Sequence, residues 1–170
     1  FGTVHPFVCQ WWAIDNEGRM YLYRELHETG RLVAGLAREV LSLSGEEKIE
    51  MTICDHDAQE QMILDNEGLW NTQAYKDITT GVQAVQARLA VQDDGLPRLM
   101  LMRGSLVRAD DKLAEAKAPL CTEDEFPDYM WPKTKEGRSV REVPVKVNDD
   151  SMDAMRYGVA YIDNIGAVPL

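Results

Sequence analysis

The chain lacks most of the signatures that assign a function at sight. No apolar run approaches the roughly 18 residues of a membrane span, and no secretory signal is visible. Cysteine is scarce: Cys9, Cys54 and Cys121 are widely separated and form no CxxC pair. That argues against a disulfide framework or a thiolate zinc site and suits a reducing compartment. His5, His27 and His56 show no HxxxH spacing, so a histidine-based metal site is not indicated. There is no GxxxxGK[ST] phosphate loop and no GxSxG nucleophile elbow, which excludes an ATPase centre and gives serine catalysis no support. Basic residues are outnumbered, 18 against 29 acids, for a net charge of −11. A sequence-specific DNA reader is usually basic. A metal-dependent nuclease domain can still be acidic, because bound cations neutralise its site and neighbouring domains hold the DNA.

What remains is an ordinary globular composition. The 170 residues are 45% hydrophobic, enough for one domain with a real core. The sequence starts at Phe1 and not at methionine, so it reads as a processed, cloned or truncated piece.

The hydrophobic patterning alternates strands with helices. Phe7 to Ile14 and Met20 to Leu26 flank Asp15-Asn16-Glu17-Gly18 and predict a hairpin. Thr29 can cap a helix over about 31–43, with Leu32, Leu36, Val40 and Leu43 on one face. Alternation from Ile49 to Cys54 predicts a strand ending at Asp55; a helix follows from Asp57 to Asn66, and Trp70 to Tyr75 predicts a short strand. Ile78, Val82, Val85 and Leu89 mark another helix, Leu99 to Met102 a strand, 106–116 a short helix, and 151–162 the last helix. Between them, 119–142 is punctuated by Pro119, Pro127, Pro132 and Gly137, and residues 119–146 form a long loop or ribbon within a single domain. The order predicts an α/β fold with a sheet of mixed direction.

Acids concentrate at two element ends. Asp55 closes a strand before a helix, the edge of an α/β sheet where ligands commonly bind. Asp55 or Asp57 can equally serve as a helix cap, with Glu60 completing a capping box. Asp149, Asp150 and Asp153 crowd like charge into one helical turn. Asp150 can cap that helix and Asp153 can favour its dipole, but the crowding needs relief from solvent, Lys146, Arg156 or a cation. Met152, Met155, Val159 and Ile162 form the stripe expected to be buried. Carboxylates so placed, facing an acid elsewhere, can hold hard divalent cations. Trp11, Trp12 and Trp131 can stack bases or fill core; Lys133, Lys135 and Arg138 form a basic loop that can touch phosphate or simply be solvated.

The run Asp149-Asp150-Ser151-Met152-Asp153-Ala154-Met155-Arg156-Tyr157 resembles the NDHxxDAxRY signature that closes the nuclease domain of tailed-phage terminase large subunits. In order along the chain, Phe1 to Pro6 resembles the end of that family's first motif and Cys54-Asp55-His56-Asp57 its second. Ala74-Tyr75-Lys76-Asp77-Ile78 with Gly81-Val82 resembles its lysine-containing helix start, and Tyr129-Met130-Trp131 leads towards Pro144-Val145-Lys146. The resemblance implies an RNase H-like mixed sheet flanked by helices and an endonuclease that cuts concatemeric double-stranded DNA during packaging in the host bacterial cytoplasm. It implies Asp55 and Asp153 as catalytic metal ligands and Asp150, standing where the family often has histidine, as a further ligand. Two Mg2+ or Mn2+ ions would serve the complete site. Lys76, Lys133, Lys135 and Arg138 would meet DNA, and the partners would be an upstream ATPase domain of the same polypeptide, the portal and the small terminase. The family's first acid stands on a central strand directly before the position matching Phe1, so the first strand is expected to be truncated and the piece alone to cleave weakly or not at all. The alternative is a catalytically incomplete RNase H-like module that grips DNA or docks the motor.

Overall fold

The structure, a computed structural model, describes residues 5–55, 57–130 and 147–165. Asp15 makes the first turn. Its carboxylate accepts the backbone N–H groups of Glu17 at 3.0 Å and Arg19 at 2.8 Å, and Gly18 takes the left-handed backbone (φ 75°) the turn needs. The expected hairpin follows, with β1 (Phe7–Ile14) antiparallel to β2 (Met20–Glu28). A register shift falls between Trp11 and Trp12, and these adjacent tryptophans, pointing to opposite faces of the strand, serve different cores. Phe7, Cys9 and Trp11 pack with α1 (Val33–Ser44), while Trp12 packs with the last helix.

Beyond α1 come β3 (Ile53–Cys54), α2 (Ala58–Asn66), β4 (Thr72–Gln73), α3 (Ile78–Leu89), β5 (Leu99–Leu101), α4 (Asp111–Ala116), α5 (Thr122–Glu125) and α6 (Asp150–Ile162). A 3-10 turn, Phe126–Asp128, continues α5. One core joins Leu26, Leu36, Val40, Leu64 and Leu69; the other joins Met20, Val85, Leu99, Met155 and Val159. The predicted stripe of α6 is therefore the buried one. Deep burial of such side chains contributes about 1.5–3 kcal/mol each.

Three expectations are corrected. The strand over Ile49–Cys54 shrinks to Ile53–Cys54, because Thr72–Gln73 supplies its only ladder among the described residues, and Ile49 and Met51 stay exposed. Thr29 does not cap α1: Leu32 stands at that N-cap without a side-chain bond, and Thr29 donates its N–H and hydroxyl to Asp110. The same Asp110 carboxylate caps α4, so the helix expected from 106 starts only at Asp111. The 131–146 part of the expected ribbon lies outside the described residues; its root, 119–130, carries α5 and the 3-10 turn.

The sheet is of mixed direction and flanked by helices, as expected, but it is in two pieces. β1 and β2 run antiparallel with β5 parallel to β2, in the order β1-β2-β5, while β3 and β4 form a separate parallel pair.

Candidate functional site

An open trench of about 1040 Å³ is lined by strands of both sheets, β1 and β3. Its lining includes residues 6–14 and 47–55, and α6 contributes Asp150, Asp153 and Tyr157. Sequence positions nearly a hundred residues apart, Asp55 and Asp153, thus reach one surface. The same placement is felt at Tyr157. Burial raises the Tyr157 phenol far above its usual value, and the charges of Asp153 and then Asp55 raise it further. Asp150 lies beside them, with its carboxylate 3.9 Å from His5 Nδ1.

Each of the two principal acids meets a protein cation. The Lys76 ammonium pairs with the Asp55 carboxylate, and the Arg156 guanidinium donates to Asp153 Oδ1 at 2.8 Å. Arg156 also leans on the start of α3, donating to the carbonyls of Lys76 at 3.3 Å and Asp77 at 3.4 Å. Its aliphatic stem lies over Gly81, where an added Cβ would stand 2.4 Å from Arg156 Cγ. Only glycine lets α3 and α6 approach this closely. A continuous path therefore runs from Asp55 through Lys76 and the α3 start to Arg156 and Asp153. The crowding of like charge at the start of α6 is relieved in part by Arg156.

Two carboxylates lining one trench have the right chemistry for Mg2+ or Mn2+, hard ions that prefer oxygen. Among the described residues, however, no three His, Cys, Asp or Glu side chains gather closely enough to hold an ion. Asp55 and Asp153 fit part of such a site and not the whole. Asp57 has the capping role that was one of its two readings: its side chain accepts the Glu60 N–H at 3.0 Å. Lys76 faces Asp55, whereas Lys133, Lys135 and Arg138 lie outside the described residues, as does Trp131. The trench thiols are quiet. Burial and the neighbouring Cys54 push Cys9 up to about 12, and burial with Asp55 and Glu60 pushes Cys54 up to about 11. Neither is a thiolate nucleophile at neutral pH.

Beneath the first turn of α6 lies a polar cluster that sequence reasoning missed. Glu25, His27 and Glu125 are 2%, 1% and 1% exposed, and Thr122 and Ser151 are fully buried. Glu25 Oε2 accepts the Thr122 N–H at 3.0 Å and its hydroxyl at 2.5 Å. Glu125 Oε2 accepts the N–H groups of Ser151 at 2.8 Å and Met152 at 3.1 Å. His27 Nδ1 lies 3.4 Å from Ser151 Oγ, and Gln10 donates to the Ser151 carbonyl at 3.0 Å. Burial pushes Glu125 up to about 8 and His27 down to about 4. Their 3.9 Å approach is consequently one of two largely neutral groups near pH 7 and not an ion pair. Nothing in the spacing of 25, 27, 122, 125 and 151 announces this cluster; only a glutamate in a β-run, Glu25, hinted at a buried acid.

No known protein family matches the chain, and no curated protein does. Solved structures do. The large terminase of a thermophilic bacteriophage, in complex with ATP-gamma-S, superposes with a TM-score of 0.69 at 22% identity, over 94% of this chain and 38% of that one. A second structure of the same terminase gives 0.68 at 20% identity, over 97% and 38%. The P22 large terminase nuclease domain gives 0.60 at 18% identity, over 96% of this chain and 77% of that domain. The chain thus spans well under half the length of the thermophilic phage's terminase and most of the P22 nuclease domain. At these identities the likeness establishes the fold, and it agrees with the mixed sheet and flanking helices expected from the motifs.

Proposed function

We propose that this chain is the nuclease domain of a DNA-packaging terminase large subunit, an endonuclease acting on concatemeric double-stranded DNA. The observation that carries the reading is the convergence of Asp55 and Asp153 on one trench, both within electrostatic reach of Tyr157. The fold likeness to the P22 nuclease domain supports it. Asp55 and Asp153, with Asp150 beside them, are the residues to hold Mg2+ or Mn2+. When bound, such ions activate water and neutralise the phosphate and the departing oxygen. The chain's own contribution is to present the acids from separate elements, with Lys76 and Arg156 balancing their charge until a cation does. An ATPase domain in the same polypeptide, the portal and the small terminase are the proposed partners. Lys76, together with Lys133, Lys135 and Arg138, is proposed to meet the DNA backbone.

Plasmid nicking with Mg2+ or Mn2+, by a polypeptide extended upstream of Phe1, tests the reading. Asp55→Ala and Asp153→Ala should each lower nicking by at least about a hundredfold, the scale on which single catalytic groups act. Activity surviving both substitutions overturns the assignment. The second reading, a module that grips DNA without cutting it, is favoured by the lack of a three-ligand group among the described residues. It predicts DNA retention in a mobility-shift assay with no nicking under any divalent cation.

A further inference from the structure

The helix that carries Asp150 and Asp153 starts differently from its neighbours. α2, α3 and α4 are each capped by the aspartate before them: Asp57, Asp77 and Asp110 accept backbone N–H groups at the third helical position, at 3.0, 2.8 and 3.2 Å. Asp149 occupies the equivalent place on α6 and makes no side-chain cap bond. The N–H groups of Ser151 and Met152 are taken instead by Glu125, which reaches in from α5. A cap from a separate element does more than satisfy donors. It ties the height and rotation of the first turn to the body of the protein.

That body is unusually well anchored at this point. Glu25 on β2 holds the start of α5 through Thr122, and Gln10 on β1 bonds both the Thr122 hydroxyl at 2.7 Å and the Ser151 carbonyl at 3.0 Å. Asn148 adopts the left-handed backbone (φ 51°) just before α6 and donates to Asp128 at 3.2 Å, so a second tie links the same two segments. Ser151, His27 and Glu125 superficially line up like a nucleophile, base and acid. All three are sealed from solvent and none lines the trench, so substrate has no route to them.

We infer that Glu125 is a positioning residue for the acid pair: by capping α6 from α5 it fixes Asp150 and Asp153 in register with Asp55 across the trench. This rests on the reading of those acids as cation ligands. The Glu125 carboxyl, largely protonated near neutral pH, accepts both N–H groups through one oxygen and turns the other towards His27. Glutamine keeps an oxygen that can accept both N–H groups; alanine removes it.

Mn2+ affinity by calorimetry, measured well below the melting temperature and beside Tm by circular dichroism, tests the inference on the chain itself. Val40→Ala, in the opposite core, serves as the control for a merely weakened fold. Glu125→Ala and Val40→Ala should both lower Tm, but only Glu125→Ala should weaken Mn2+ binding, by about tenfold. Glu125→Gln should restore affinity to within about threefold of the parent. If Glu125→Ala binds Mn2+ as Val40→Ala does, or if Glu125→Gln fails to rescue, the positioning role is wrong. If the parent chain binds no Mn2+, or Asp153→Ala binds it as well as the parent, the acid-pair reading itself falls and takes this inference with it.

Discussion

The carboxylates on the trench and those beneath α6 are the same chemical group in opposite circumstances. Asp55 and Asp153 keep side-chain exposures of 35% and 21% and sit against the cations of Lys76 and Arg156. Glu25 and Glu125 are cut off from water, and burial raises both towards the neutral form. The trench pair is half-buried and can reach a ligand from solvent, Asp55 more freely than Asp153, whose partner Arg156 is itself buried. The sealed pair cannot, and every bond it makes replaces one that water would have supplied. The lesson is a division of labour within about two turns of one helix: a stiff polar foundation below, accessible charge above.

The comparison can be broken most sharply at Glu125. Removing its side chain leaves two buried N–H groups without their acceptor, and Glu125→Ala should cost on the order of 2–4 kcal/mol in urea unfolding. A loss no larger than that of a surface substitution would show that the foundation is not stiff.

A smaller effect separates the two regions by pH. Burial raises Glu125 from 4.5 to about 8, so the folded state keeps a proton that the unfolded chain releases. Its stabilising share is complete below about pH 4.5 and is lost as pH rises through about 8. Burial lowers His27 from 6.5 to about 4, so its share runs the other way, improving as pH rises from about 4 to 6.5 and flat above. Glu25, raised by burial, and Asp150, whose charge lies near Glu125, face the same cluster. Between pH 6.5 and 8 the Glu125 contribution stands alone among the two opposing shifts. Chemical denaturation should therefore show the parent losing stability relative to Glu125→Gln across that window, and parallel curves would sink the assignment.

The smallest expected change is on the trench. Lys76→Met removes a partly exposed ion pair and should alter stability by no more than about 1 kcal/mol. A larger loss in a thermal melt would mean that the Asp55–Lys76 contact belongs to the foundation and not to the accessible surface.

Much of this arrangement was legible from local pattern. The hairpin and its Asp15 turn, the helices over 78–89 and 150–162, the buried stripe of α6 and the Asp57 cap all follow from periodicity and short-range hydrogen bonding, which act within a few residues. Elements that depended on a distant partner went astray. Thr29 found Asp110 eighty-one residues away in preference to its own helix, and Ile49 to Thr52 joined no strand. The sheet divides in two because strand pairing is decided by what lies alongside, a property that no segment carries in itself.

The same boundary runs through the site. The chain's own order of residues determined which acids stand at element ends, Asp55 after a strand and Asp149, Asp150 and Asp153 at a helix start, because capping and periodicity are local. Tertiary structure alone decided that Asp55 and Asp153 share a trench, that Lys76 balances Asp55, and that Glu125 caps the helix Asp149 was placed to cap. Those outcomes turn on burial and on contacts across more than twenty residues of chain, where the free energy of a carboxylate depends on its neighbours in space and not in sequence.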